Sequence, residues 1–130
     1  MLEVIDLEEK KAILKRFMDK YIKEGINTRD ENGRIILLWC NLKDHYYDEY
    51  ILIKTIDVPK IGLREDLPIY VYFDGNEKIY VTTFIEFCQY LVNREIWEDI
   101  DVEVFDDSLM WLLVVTHEDQ SMLIGFDDDE

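Results

Sequence analysis

No lysine or arginine follows Arg94. The last 36 residues hold 13 aspartates and glutamates, with His117 as the only group able to become cationic. The shortage of bases extends to the whole chain, with 14 Lys and Arg against 30 Asp and Glu and a formal net charge of −16. That balance argues against direct binding of nucleic acid phosphates or of an anionic membrane, since both would be repelled. Proline and glycine are also sparse, at two and five residues, which argues against a linker-rich chain. The two cysteines, Cys40 in "LLWCNL" and Cys88 in "IEFCQYL", are too few for a disulfide framework and are expected to be reduced core residues. No apolar run approaches the ~20 residues of a membrane span. The opening "MLEVIDLEEKKAIL" has acids where a signal peptide carries bases, so a cytoplasmic protein is expected.

Catalytic motifs are missing as well. There is no glycine-rich phosphate loop, no G-x-S-x-G and no H-E-x-x-H. "TRDENG" fails as a calcium loop: with Gly33 at its sixth position, Thr28 and Trp39 occupy the first and twelfth, where carboxylates are needed. His45 and His117 have no metal-ligating neighbours at local spacing. The expectation is a protein with no catalytic residue, no metal and no cofactor.

What is present is enough to build a core. Hydrophobic residues make up 48% of the chain and aromatics 13%, which places 130 residues in the range of one folded domain, 1–130, despite the charge. Residues 1–23 carry six bases and five acids, whereas 24–130 carry eight bases and 25 acids. A nearly neutral helix thus precedes an acidic body. Asp6 and Glu9 have the spacing of a capping box, and Ile13, Leu14, Phe17, Met18, Tyr21 and Ile22 form one apolar stripe that Gly25 would end. "RIILLWCNL" and "YYDEYILIKTIDV" read as strands, although "KDHYYDEY" also suits a helix. "IYVYF", "DGNE" and "KIYVTT" give a hairpin. Thr82 or Thr83 is expected to cap a second helix, "FIEFCQYLVNREIW", and Thr83 with Glu86 has the spacing of a capping box. Strands "IDVEVF", "LMWLLVVTH" and "SMLIGF" close the chain before a solvated acidic tail, "DDDE", at 127–130. This order predicts an α+β domain: a largely antiparallel sheet with both helices packed on one face.

The acids raise the functional question. In "WEDIDVEVFDDSLMW", Ile100, Val102 and Val104 alternate with Asp99, Asp101 and Glu103. Alternation sends the first set to the core and the second to the other face, as a row of carboxylates spaced roughly 6.8 Å apart. Read as solvated, the row should tolerate charge reversal of Asp101 and Glu103 to Lys without unfolding. The following turns add Asp106, Asp107, Glu118 and Asp119, and Trp97, Phe105 and Trp111 lie nearby in sequence. An acidic field rimmed by aromatics suits an interface with a cationic protein, in which charge sets the encounter rate and rings supply anchors. Tyr46, Tyr47, Asp48 and Glu49, within "YYDEY", make a second candidate surface.

The strand–turn–strand segment "VEVFDDSLMWLLVVTHED", residues 102–119, together with the acidity and the single α+β domain, resembles the small acidic immunity proteins of bacterial polymorphic and contact-dependent toxin systems. The resemblance implies binding to a cognate toxin domain, often a basic nuclease, whose active site is blocked. A row of carboxylates in place of phosphates would fit such a site. Two other readings stand beside it: a nucleic-acid mimic directed at host DNA- or RNA-binding proteins, and a structural or adaptor domain. In each the partner is a protein, with neither nucleic acid nor membrane bound directly, and the chain itself is a monomer or weak homodimer.

Overall fold

A computed structural model describes residues 3–29, 31–33, 35, 37–94, 98 and 100–126. Trp97, Asp99 and the tail 127–130 lie outside them.

Asp6 starts the first helix, its carboxylate accepting the Glu9 N–H at 2.9 Å. Helix α1 runs Leu7–Tyr21 and buries Ile13, Leu14, Phe17 and Tyr21, the stripe expected from the sequence. A two-residue strand, β1 (Glu3–Val4), precedes it. The expected strand in 34–42 does not form in the described residues: Leu38–Cys40 is a 3-10 turn, and Tyr46–Glu49 is a short helix, α2. Strand β2 is confined to Ile51–Lys54, and Thr55–Lys60 winds into a second 3-10 stretch. The hairpin is as read, β3 (Pro68–Phe73) and β4 (Lys78–Thr83). Thr83 then accepts the Glu86 N–H at 3.4 Å and donates its hydroxyl to the Glu86 carboxylate at 3.2 Å, opening α3 (Phe84–Asn93). Strands β5 (Val102–Phe105), β6 (Leu112–Val115) and β7 (Gln120–Ile124) follow.

The described strands make one antiparallel sheet of seven, in the order β1-β4-β3-β5-β6-β7-β2. The α+β antiparallel architecture is therefore the expected one. The placement of the helices is not. Phe17 and Tyr21 of α1 pack with Tyr72, Phe105, Leu112, Val114 and Ile124. Phe87 and Leu91 of α3 pack with Val71, Val102, Val104, Leu113 and Val115. Neighbours along a strand point to opposite faces, so α1 and α3 cover opposite sides of the sheet. The central strands consequently read B-B-B-B in burial, with no solvated face.

Gly125 closes the end of β7 at φ +85°, and a Cβ there would sit 2.3 Å from the Met110 carbonyl oxygen and 3.1 Å from the Trp111 Cα. Both obstacles are backbone, and the left-handed conformation is itself costly for a residue with a side chain. Gly125→Ala should lower unfolding stability by about 2–4 kcal/mol in urea titration, whereas Gly75→Ala, with nothing within 4 Å of the added carbon, should be nearly silent.

Candidate functional site: the acidic end of the sheet

Antiparallel connection fixes which acids can meet. The β3–β4 turn, the start of β5 and the β6–β7 turn lie at one end of the sheet, and the β5–β6 turn lies at the other. Glu118 and Asp119 therefore sit with Asp101, while Asp106 and Asp107 are a strand length away. The candidate carboxylates do not form one surface.

Asp106 and Asp107 are committed to structure. Asp106 accepts the Ser108 N–H at 3.0 Å and the Trp111 indole N–H at 3.1 Å, which fixes the turn. Asp107 receives the Tyr70 hydroxyl at 2.8 Å and Arg16 at 3.3 Å. Of the aromatics expected at the rim, Trp97 lies outside the described residues and the other two are internal: Phe105 lies 4.8 Å from the Phe17 ring, and Trp111 packs edge-on to Phe126. Tyr46 is buried against Tyr21 and donates its hydroxyl to the Lys20 carbonyl at 3.2 Å. Tyr47 is half-buried, donating to the Trp39 carbonyl at 2.7 Å and accepting from the Leu42 N–H at 3.0 Å. Of that cluster only Asp48 and Glu49 are exposed, and they adjoin the β2 end that pairs with Leu123, away from Glu118.

The predicted row divides in the same way. Glu103 has 0% exposure, because β5 is fourth of seven strands and α1 with the segment 37–47 covers the face it shares with Tyr72 and Phe105. A longer cationic chain at position 103 would have to displace its neighbours, so charge reversal there does not separate binding from folding, contrary to the expectation of a solvated row. Asp101 is mostly covered and serves as an acceptor hub. It takes the Trp39 indole N–H at 3.0 Å and the His117 backbone N–H at 3.3 Å, and it holds His117 Nδ1 at 3.0 and 3.1 Å from its two oxygens.

Behind it, Asp74 accepts the Leu38 N–H at 3.4 Å through one oxygen. The other oxygen, both oxygens of Glu103 and the Tyr72 hydroxyl have no hydrogen-bond partner among the described residues. Burial pushes the Asp74 carboxyl up to about 6. Burial and then the Asp74 charge push Glu103 well above the carboxylate range. Two carboxylates offer only acceptors to each other; a proton on Glu103 makes it a donor to Asp74, the hydrogen bond that raises Glu103 and holds Asp74 down.

Cys40 is exposed rather than part of the core, whereas Cys88 is buried as expected. The Cys40 thiol is pushed up by burial and by Asp101, Asp74 and Glu118. A nucleophilic cysteine needs the opposite shift, so Cys40 beside the His117–Asp101 pair has the residue types of a catalytic site without its electrostatics. Among the described residues no group of three or more His, Cys, Asp or Glu is arranged to hold a metal, and no helix is long and apolar enough to cross a membrane.

Outside this hub the surface changes character. Glu118, Asp119, Lys54 and Arg94 line a groove of about 670 Å³ whose apolar part includes Ile56, Pro59, Leu91 and Val92. Ile56 is 79% exposed and Val92 74%. Arg94 is held by Asp119 at 3.2 Å, and its own side chain is largely covered. Nothing in the sequence marks Ile56 and Val92 as surface anchors: the first falls in a stretch read as a strand, and the second in an apolar helix whose solvent side periodicity alone does not mark as a site.

Asp101→Ala removes the acceptor for the Trp39 and His117 donors and should cost about 2–3 kcal/mol in chemical denaturation, whereas Glu118→Ala, on an exposed turn, should leave the midpoint nearly unchanged. No protein-family model, curated protein or solved structure matches this chain, so what the acidic end does has to follow from its own geometry and charge.

Proposed function

We propose that the protein is a non-enzymatic binder that neutralises a cationic protein, and that a cognate bacterial toxin domain of the basic nuclease type is its partner. The observation that carries this reading is the groove beside the β6–β7 turn, where Glu118, and Asp119 paired with Arg94, adjoin two of the most exposed aliphatic side chains in the described residues, with Lys54 also in the lining. Apolar side chains that lose water on contact slow dissociation, and the acidity of the chain as a whole accelerates encounter with a cationic partner. The net charge of −16 extends the attraction over the whole molecule, so a cationic partner is drawn in from any approach. A nuclease domain fits because its active site must be positive to hold phosphates. A cytoplasmic location goes with this reading, since a toxin of that kind acts on intracellular nucleic acid.

The test is co-purification and growth rescue with the toxin domain encoded beside this chain, repeated at low and high salt. Rescue with salt-sensitive binding is expected. Glu118→Lys should slow association several-fold at low salt, and Ile56→Asp should weaken binding by about 1–2 kcal/mol, roughly tenfold in Kd. Asp48→Lys, at the other end of the sheet, should change association less than Glu118→Lys does. Absence of both binding and rescue would dismiss the toxin partner. Binding that ignores Glu118 and Ile56 would place the interface elsewhere.

A further inference from the structure

The segment 37–47 is attached to the sheet largely through carboxylates. The Leu38 N–H donates to Asp74 and the Trp39 indole to Asp101, and just before the segment the Ile35 N–H donates to Glu77 at 2.8 Å. Its apolar side, Leu38 and Leu42, is fully buried in the same cluster as Tyr72 and α1. Its far end is tied to α1 by the Lys43 N–H to the Tyr21 carbonyl at 2.8 Å and by the Lys23 N–H to the Asn41 carbonyl at 3.0 Å. Beneath it lie four of the five buried side-chain atoms that have no hydrogen-bond partner among the described residues: Glu103 Oε1 and Oε2, Asp74 Oδ2 and Tyr72 Oη. Three are acceptors, and the tyrosine brings one hydrogen.

We propose that Glu103 and Asp74 form a buried proton-binding site that governs whether the segment 37–47 lies closed on this end of the sheet. With one proton, Glu103 donates to Asp74, and Asp74 keeps the charge with which it accepts Leu38. Without it, two buried carboxylates face each other, and the remedy open to the fold is to admit water by lifting the segment.

The groups facing the pair are largely acidic. Glu77 and Tyr72 come from the hairpin, Asp101 precedes β5, and Cys40, faced by Glu118 from the β6–β7 turn, belongs to the segment itself. Nearby, Arg29 lies 3.6 Å from Glu77, and the His117 ring, cationic only when protonated, is bound to Asp101. On the α1 side the neighbours of Glu103 along its face are apolar, Phe105 on its own strand and Val114 across on β6.

The direction follows from linkage. The closed form holds its proton to a higher pH than the open, hydrated form does, so closure is favoured at low pH. It is lost as pH rises through the closed-form titration of Glu103. Between the open-form and closed-form titrations the opening constant rises by up to about tenfold per pH unit, and it levels off above both.

Amide hydrogen exchange of the full chain, expressed as protection factors to remove the intrinsic pH dependence, reads this out. Between pH 6.5 and 8.5 the amides of 37–47, Leu38 and Leu42 above all, should lose protection, while those of β3, β5 and β6 hold theirs. In Glu103→Gln, which keeps the shape and supplies a permanent amide donor to Asp74, protection of the segment should be flat over the same range. If that variant does not fold, Asp74→Asn takes its place: its amide still accepts from Leu38 and removes the charge that faces Glu103, so the loss of protection should shrink relative to the natural chain, although Glu103 stays buried. Parallel profiles in the natural chain and the foldable variant would overturn the proposal. So would a loss of protection spread evenly over the sheet, which is global unfolding and not a local opening.

Discussion

The Phe105 ring rests 4.8 Å from that of Phe17, and through this contact α1 is seated on the face of the sheet that Glu103 and Tyr72 share. With α3 on the other side, the middle of the sheet has no wet face. Much of the behaviour of the acids follows from that enclosure. Asp74, Asp101 and Glu103, at the central strand and its approaches, are turned inward, whereas Glu118 and Asp119 on the β6–β7 turn stay in water. A chain with 30 carboxylates thereby separates them into two populations whose chemistry differs although their side chains do not.

Local features were legible in the sequence because their causes are local. Asp6 and Thr83 cap helices by bonds to residues three positions on, and the hairpin is set by its own turn. The alternation of Ile100, Val102 and Val104 with Asp101 and Glu103 correctly separated two faces. Alternation reports which residues share a face, but whether that face is wet depends on what covers it, and the cover here comes from α1 and from a segment some 60 residues earlier in the chain. The same limit explains 37–47. "IILLWCNL" is apolar enough for a strand, yet Leu38 and Leu42 are used to roof the sheet, and the backbone donors of Ile35 and Leu38 go to the carboxylates of Glu77 and Asp74 instead of a neighbouring strand.

The candidate site was legible in composition and not in place. Glu118 and Asp119 were identified for their charge, and they do border an open groove. Trp39 and Ile56 escaped notice because neither sits in a motif; their significance comes from contacts across long sequence separations. Conversely Tyr46 and Tyr47, which composition marks as interface residues, are occupied in holding backbone carbonyls of their own fold.

The order of the strands has a consequence for biosynthesis. β2 pairs only with β7, although more than 60 residues separate them, and α1 packs on Phe105, Leu112, Val114 and Ile124. A ribosome delivers the helix first and much of its packing surface last. The strand at 51–54 therefore waits for β7, and until β5, β6 and β7 are made the apolar face of α1 has only Leu38, Leu42, Tyr46, Tyr72 and Ile79 to pack on. Long-range antiparallel pairing of this kind folds slowly.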